Sequence, residues 1–237
     1  MKSFSFKNMI LSEDEDFIII NKPPGIATLE DRIDAVNILS MAREYFGEAQ
    51  VGHRLDKETS GVMVITKNPD AFRHFQLQLQ HRKVDKVYHA VVNDIHEIDG
   101  IKIEMPLMAP SKGVARVDFN KGKPAETLVK TGELFKKHTL LECKLITGRT
   151  HQIRAHLSAI KAPIVMDEKY GGTPAYLSEL KKRFNKKKDE DERPIIQRVA
   201  LHASAVSFQH LNGTKLEATA PYPKDFAVLV KQLKKYK

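Results

Sequence analysis

The chain has 237 residues, of which 41% are hydrophobic, so it can bury one full core or two small sub-lobes that share a sheet. Lys and Arg number 39 against 30 Asp and Glu, a formal net charge of +9 that favours a polyanionic partner without choosing among RNA, DNA and an anionic membrane. The single cysteine, Cys143, excludes an internal disulfide framework and a multi-cysteine metal site. Because no apolar run has the length of a signal peptide or a membrane span, we expect a cytoplasmic protein with no membrane partner.

Apolar periodicity predicts a mixture of strands and helices. Strands are predicted over 17–21, 62–66, 86–93 and 140–146, and helices over 35–46, 70–81 and 150–160. Asn68-Pro69 is typical of a helix start, and Thr150 is predicted to cap the last of these helices. Cys143 lies in an alternating strand pattern, which predicts a small core side chain.

Two polar clusters stand out from this pattern. The first, HRLDKETSG over His53–Gly61, places Asp56 between two cations just before a buried strand. Loops at the end of a rigid strand often carry reactive groups, although a solvated loop with a surface ion pair accounts for most isolated Arg-x-Asp sequences. The second cluster, GRTHQIRAH over Gly148–His156, offers Asp56 a distant arginine as a partner.

The two clusters resemble the RluA-type family of RNA pseudouridine synthases in their residues and in their order along the chain. Four further blocks follow the order of that family: EDEDFIIINKPPGIAT at 13–28, KVYHAVV at 86–92, PIVMDEKYGG at 163–172, and RVALHASAVSF through APYPKDF at 198–226. Together the blocks cover nearly the whole chain.

The resemblance implies a single catalytic domain over 1–237 with the pseudouridine synthase fold. That fold is α/β (α+β), with a mixed, largely antiparallel sheet in two sub-lobes that flank a catalytic cleft. The implied activity is the isomerisation of specific uridines to pseudouridine in structured RNA, in a stem-loop of ribosomal or transfer RNA. We expect a monomer that uses no metal and no organic cofactor.

The resemblance also implies three catalytic residues. Asp56 matches the catalytic carboxylate, and its chemistry is open between attack on the sugar and removal of a sugar proton. A dry pocket would neutralise a lone carboxylate, and Arg154 is the matching cation, since guanidinium stays charged when buried. Spacing alone would instead place Arg154 in solvent. Tyr88 matches the aromatic residue that stacks on the flipped uracil, whereas an aromatic on a strand is ordinarily core.

Five further residues are predicted RNA contacts. Arg54 resembles the arginine that holds the displaced nucleotide, and Lys86 is interpreted as a structural or backbone-contact residue. The full set is Arg54, His53, Lys86, Arg149 and His151. His151 and His156 are five residues apart, which separates them around a helix and argues against a metal site.

The chain departs from the family in three places and also carries one charged insertion. Met166 and Lys161 stand where relatives often have glycine. The catalytic strand begins almost at once, so the resemblance implies that the N-terminal RNA-binding module of many relatives is absent. A charged insertion over 180–194 carries six cations followed by four acids, and we expect a solvated loop there.

Two rival functions are weighed against the synthase. A non-catalytic RNA-binding protein on the same fold would not need Asp56, Tyr88 and Arg154 together. A hydrolase that uses Asp56 is opposed by the lack of any second-carboxylate motif or metal motif nearby.

Overall fold

The computed structural model describes residues 5–30, 36–110, 114–181, 184 and 191–237, and the chain divides into two compact units. The first unit comprises Met1–Val87 and His202–Tyr222, and the second comprises Tyr88–Leu201 and Pro223–Lys237. Each unit therefore draws on two separate stretches of sequence. No helix within those described ranges is long and apolar enough to cross a membrane.

The described elements are short strands and a few helices. In chain order the strands are β1 (Ile10–Glu13), β2 (Phe17–Lys22), β3 (Gln50–Val51), β4 (Ser60–Thr66), β5 (Asp85–Asn93), β6 (Ile101–Glu104), β7 (Leu107–Met108), β8 (Arg116–Val117), β9 (Glu126–Leu134), β10 (His138–Leu145), β11 (Leu201–Gln209) and β12 (Lys215–Thr219). The helices are α1 (Ile38–Tyr45), α2 (Pro69–Gln80), α3 (Gln152–Ala159), α4 (Leu177–Leu180) and α5 (Lys224–Lys235).

Strand β4 is the centre of the sheet in the first unit. It pairs antiparallel with β2 and β3 and, over two residues, parallel with β11. Every residue of β4 is buried, as its apolar run predicts. Gly61 has φ +119°, and a Cβ there would overlap with the Ala203 carbonyl oxygen, so this close approach of β4 and β11 requires glycine. Lys22 lies opposite Gly61, which brings the turn after β2 beside the residues that precede β4.

The second unit contains antiparallel strand pairs and a separate hairpin. Strand β9 pairs antiparallel with β10 and with β6, and β5 lies beside β10. Strands β7 and β8 form the hairpin. A cluster of Leu107, Ala125, Ala155 and Tyr170 packs this hairpin against α3. Cys143 is buried in β10, as predicted, and burial raises the pKa of its thiol.

The predicted mixed α+β class with largely antiparallel pairing is confirmed. The four predicted strands and the helix that opens at Asn68-Pro69 occur within two residues of their predicted ends. The start of α1 was predicted too early. Asn37 and Ser40 form a reciprocal capping box, so the helix begins at Ile38.

The predicted cap of α3 was also wrong. The helix begins at Gln152, and its N-cap residue is His151 at φ 52°, with no side-chain cap bond. The physical reason is Gln152 itself, whose Oε1 accepts from the Arg149 N–H at 2.9 Å and from the Thr147 hydroxyl at 2.8 Å. Most of the charged run at 180–194 lies outside the described residues, so its predicted loop structure stays a prediction.

Candidate active site

Asp56 lies in the turn that leads into β4, and its side chain is half-buried. Its carbonyl oxygen accepts from the Thr59 N–H at 3.0 Å, which closes the turn. The fully buried strand β4 begins at Ser60, four residues after Asp56. The carboxylate therefore lies close to the start of a fully buried strand.

The two neighbours of Asp56 are both anchored through their backbones. The buried Thr28 hydroxyl donates to Leu55 O at 2.7 Å and accepts from the Leu55 N–H at 3.1 Å. On the other side, Lys57 O accepts from the Gly25 N–H at 2.8 Å and from Lys22 Nζ at 3.2 Å. These hydrogen bonds hold the backbone on both sides of Asp56 and so fix the direction of its side chain.

Lys22 is a fully buried lysine at the end of β2. Besides Lys57 O, its ammonium donates to Pro23 O at 3.0 Å and to Ile26 O at 2.8 Å. A buried charge requires such partners, and here three backbone carbonyls supply them. The sequence predicted a strand that ends at Asn21, just before this lysine, and gave Lys22 no role. A lysine that ends a buried apolar strand was the available signal.

His53 and Lys86 are titratable groups of the same unit. His53 Nε2 accepts from the Val64 N–H at 3.2 Å. Burial, together with the charge of Lys86, lowers the pKa of His53 to about 3, so the ring is neutral at neutral pH and binds the backbone of β4. Burial lowers the pKa of Lys86 to about 8, and Arg54 is exposed. The RNA contacts of these three residues stay predictions.

Ser60 is held by a buried histidine. Its Oγ lies 3.0 Å from His202 Nδ1, and His202 Nε2 lies 3.1 Å from Ala220 O. Since a carbonyl only accepts, Nε2 carries the proton in the neutral ring and Nδ1 accepts from the Ser60 hydroxyl. These hydrogen bonds connect Ser60, at the start of β4, to Ala220 through His202.

In the second unit, Arg154 forms a buried bidentate ion pair. Its Nε and Nη2 donate to Asp167 Oδ2 and Oδ1, each at 2.7 Å. Arg154 is 8% exposed and Asp167 is 1% exposed, so the solvent-facing alternative for Arg154 is wrong. Sequence reasoning missed Asp167, although it lies in the block at 163–172. Pairing of Arg154 with Asp56 stays a prediction.

Tyr170 completes the surroundings of Arg154. The guanidinium Cζ lies 4.9 Å from the centroid of the Tyr170 ring, an additional cation–π contact. The Tyr170 hydroxyl donates to Ala115 O at 3.0 Å and lies 3.1 Å from His151 Nδ1. His151 is therefore half-buried against Tyr170. Arg149 is exposed on the loop before α3, and its Nε donates to Pro124 O at 3.0 Å.

Tyr88 is 6% exposed on β5, in the strand predicted for it. Its stacking on uracil stays a prediction. Likewise, the predicted RNA contacts of Arg149 and His151 are compatible with their positions and are not tested by them.

Comparison with known proteins identifies the family. The family model for RNA pseudouridylate synthase matches residues 16–159. The ribosomal large subunit pseudouridine synthase D of Haemophilus ducreyi is 35% identical over 95% of this chain and 70% of its own length. Ribosomal large subunit pseudouridine synthase D of Escherichia coli K12 is 34% identical over 95% of this chain and 70% of its own length.

Solved structures share the fold. Human RNA pseudouridylate synthase domain containing 4 superposes with a TM-score of 0.73 at 22% identity, covering 97% of this chain and 94% of its own. Human RNA pseudouridylate synthase domain containing 1 superposes with a TM-score of 0.69 at 24% identity, covering 94% of this chain and 87% of its own. The chain therefore belongs to the RNA pseudouridylate synthase family, whose enzymes isomerise uridine to pseudouridine in RNA, and the resemblance to RluA-type synthases is confirmed.

Proposed function

We propose that this chain isomerises specific uridines of large-subunit ribosomal RNA in the cytoplasm, with Asp56 as the catalytic carboxylate. The names of several relatives, ribosomal large subunit pseudouridine synthases C and D, support ribosomal RNA over transfer RNA, the other class predicted from the sequence. The net charge of +9 suits a polyanionic substrate.

The reaction conserves the composition of the nucleotide. The bond from uracil N1 to the sugar breaks, a bond from uracil C5 to the same sugar carbon forms, and the C5 proton is replaced by one on N1. No electron is gained or lost. The step needs a carboxylate at the sugar and a pocket that retains the free base. Asp56 either adds to the sugar carbon or removes a sugar proton.

The anchoring of the residues beside Asp56 carries the assignment. Thr28 binds both backbone groups of Leu55, and Lys22 and Gly25 both bind Lys57 O. A solvated loop with an incidental ion pair gains nothing from such anchors. A carboxylate that must lie next to one sugar carbon does gain from them, because a small misplacement of a catalytic group lowers the reaction rate steeply.

Arg154 and Lys22 have different parts in this proposal. Asp167 already binds the Nε and Nη2 atoms of Arg154, so that pair adds little net charge. A guanidinium stays charged when buried, and we keep Arg154 as a proposed catalytic residue on that ground. Lys22 donates a hydrogen bond to Lys57 O and so holds the backbone beside Asp56.

The remaining contacts follow the family. Tyr88 stacks on the target uracil, Arg54 holds the displaced nucleotide, and Arg149 binds phosphate. His53 and Lys86 remain proposed RNA contacts. His151 contacts the RNA from its place beside Tyr170.

Mapping pseudouridines in total RNA from cells with and without this protein tests the proposal. We expect defined positions in large-subunit ribosomal RNA to lose pseudouridine. Wild-type protein should restore them and Asp56→Asn should not. Loss confined to transfer RNA would overturn the ribosomal assignment, and an unchanged map would overturn both assignments.

A further inference from the structure

Phe119 has the most exposed large apolar side chain among the described residues, at 74%. It lies in the turn that follows the β7–β8 hairpin. A single exposed apolar residue is ordinary on a protein surface. Three features of its surroundings distinguish Phe119.

The first feature is a pre-organised backbone beneath the ring. Asp118 Oδ1 accepts from the N–H groups of Asn120 and Lys121 at 3.0 and 2.8 Å. The Gly122 N–H donates to Asp118 O at 2.9 Å, and a side chain at Gly122 would overlap with that same oxygen. A ring on a fixed turn loses little conformational entropy when a ligand packs on it.

The second feature is the charge around the ring. Arg116, Lys121 and Lys123 are all exposed. The nearby carboxylate, Asp118, is engaged by the turn, and the Lys121 N–H holds its pKa below the usual range. An aromatic face among cations is the arrangement with which proteins hold single-stranded nucleic acid.

The third feature is the attachment of this turn to the helix of Arg154. Leu107 of β7 and Ala125, which follows the Phe119 turn, pack in one cluster with Ala155 of α3 and with Tyr170. The Tyr170 hydroxyl donates to Ala115 O just before β8. The Phe119 turn is thus fixed to the element that carries a proposed catalytic residue.

We propose that Phe119 is a stacking platform for an unpaired nucleobase of the RNA substrate, flanked by phosphate contacts from Arg116, Lys121 and Lys123. This base is a second one, distinct from the target uridine assigned to Tyr88. The proposal rests on RNA being the substrate and adds a contact that sets affinity and register. The flanking cations favour a nucleic acid over a protein or a second copy of this chain.

The test is binding of a labelled large-subunit ribosomal RNA transcript to Phe119→Ala, Phe119→Leu and Phe119→Tyr, measured by filter retention. We expect Ala and Leu to weaken binding by about 5- to 150-fold, the range for stacking on one base. Tyr keeps an aromatic face and should bind within roughly twofold of the wild type. Leu211→Ala, at an exposed apolar turn residue of the first unit, is the matched control and should not change binding.

A salt series separates stacking from charge. Lys121→Gln with Lys123→Gln should make the salt dependence shallower by about one to two units of slope, whereas Phe119→Ala should leave the slope unchanged. Thermal melts of all variants should match the wild type, because the ring is exposed.

Wild-type affinity in Phe119→Ala, or full affinity in Phe119→Leu, would overturn the proposal. So would a change of oligomeric state in Phe119→Ala by sedimentation, because Phe119 would then contact a second copy. If the wild type forms no pseudouridine in this transcript, the ribosomal assignment fails separately. The binding series still decides the role of Phe119, since stacking tolerates any sequence.

Discussion

Arg154 grips Asp167 through two parallel hydrogen bonds of 2.7 Å each, in a pair with only 1% of Asp167 exposed. This pair joins the start of α3 to the 163–172 block, and the Tyr170 ring lies against its cation. The proposed catalytic arginine is therefore also a structural residue, and the two roles need separate tests.

Arg154→Ala should destabilise the protein by about 3–5 kcal/mol, because it leaves a buried carboxylate without its cation. The double variant Arg154→Ala with Asp167→Ala should lose less than the sum of the two single variants. Urea denaturation of the four proteins measures this coupling. Additive losses would contradict a buried pair.

Lys22→Met should lower kcat while RNA affinity is nearly unchanged, because the Asp56 turn loses one of its anchors. The orphaned carbonyls of Pro23 and Ile26 should also cost about 1–3 kcal/mol each in stability. Single-turnover kinetics and denaturation together measure both effects. Lys102→Met, at an exposed lysine paired with Glu104, is the control that should change neither. Wild-type kcat in Lys22→Met would remove Lys22 from the account of Asp56.

His53 should make stability sensitive to mild acid. Its pKa is near 6.5 in the unfolded chain and about 3 in the folded one, so between these values the unfolded chain binds the extra proton. Stability is therefore fully present above the unfolded pKa and falls as pH drops through this window, by up to about 1.4 kcal/mol per pH unit.

His53→Gln tests this pH dependence. Glutamine can still accept from the Val64 N–H but does not titrate. The free energy of unfolding of the His53→Gln variant should fall less than that of the wild type between neutral pH and about pH 5. Parallel denaturation curves at each pH for the two proteins would contradict a buried neutral His53.

Lys161→Gly should stabilise the protein. Lys161 has φ 61° and Met166 has φ 65°, the left-handed region where a non-glycine residue costs about 1–2 kcal/mol. Glycine also loses more backbone entropy on folding, so the net gain in the free energy of unfolding should be roughly 0.5–1 kcal/mol. Lys231→Gly, the same change at an exposed position within α5, should instead destabilise by about 1 kcal/mol. Equal losses in both variants would contradict the conformational argument.

Sequence patterns predicted the elements of this fold better than their ends. Apolar runs such as 62–66 predicted strands because β4 is buried along its whole length. The start of α3 was missed because Gln152, not Thr150, satisfies the loop before the helix. Competition of this kind between neighbouring polar residues does not appear in periodicity. The left-handed backbone at Lys161 and Met166 was not predicted.

The candidate site was predicted residue by residue, but its supports were not. The role of Asp167 was not predicted because it pairs with Arg154 across an irregular loop, and such a pairing has no signature in the sequence. Lys22 escaped because its three carbonyl partners belong to turns, and sequence alone does not reveal which carbonyls converge. Motif resemblance proposes groups that act on substrate, whereas coordinates are needed to find the side chains that hold those groups in place.

Pseudouridine formation by purified Asp56→Asn tests the central claim most directly. The substitution keeps the shape of the side chain and removes its charge, so the Thr28 and Lys22 anchors and RNA binding should be preserved. The account predicts no detectable pseudouridine in RNA from cells lacking this protein, under conditions where the wild type modifies it fully. Turnover near the wild-type rate would contradict the assignment of Asp56 as the catalytic carboxylate.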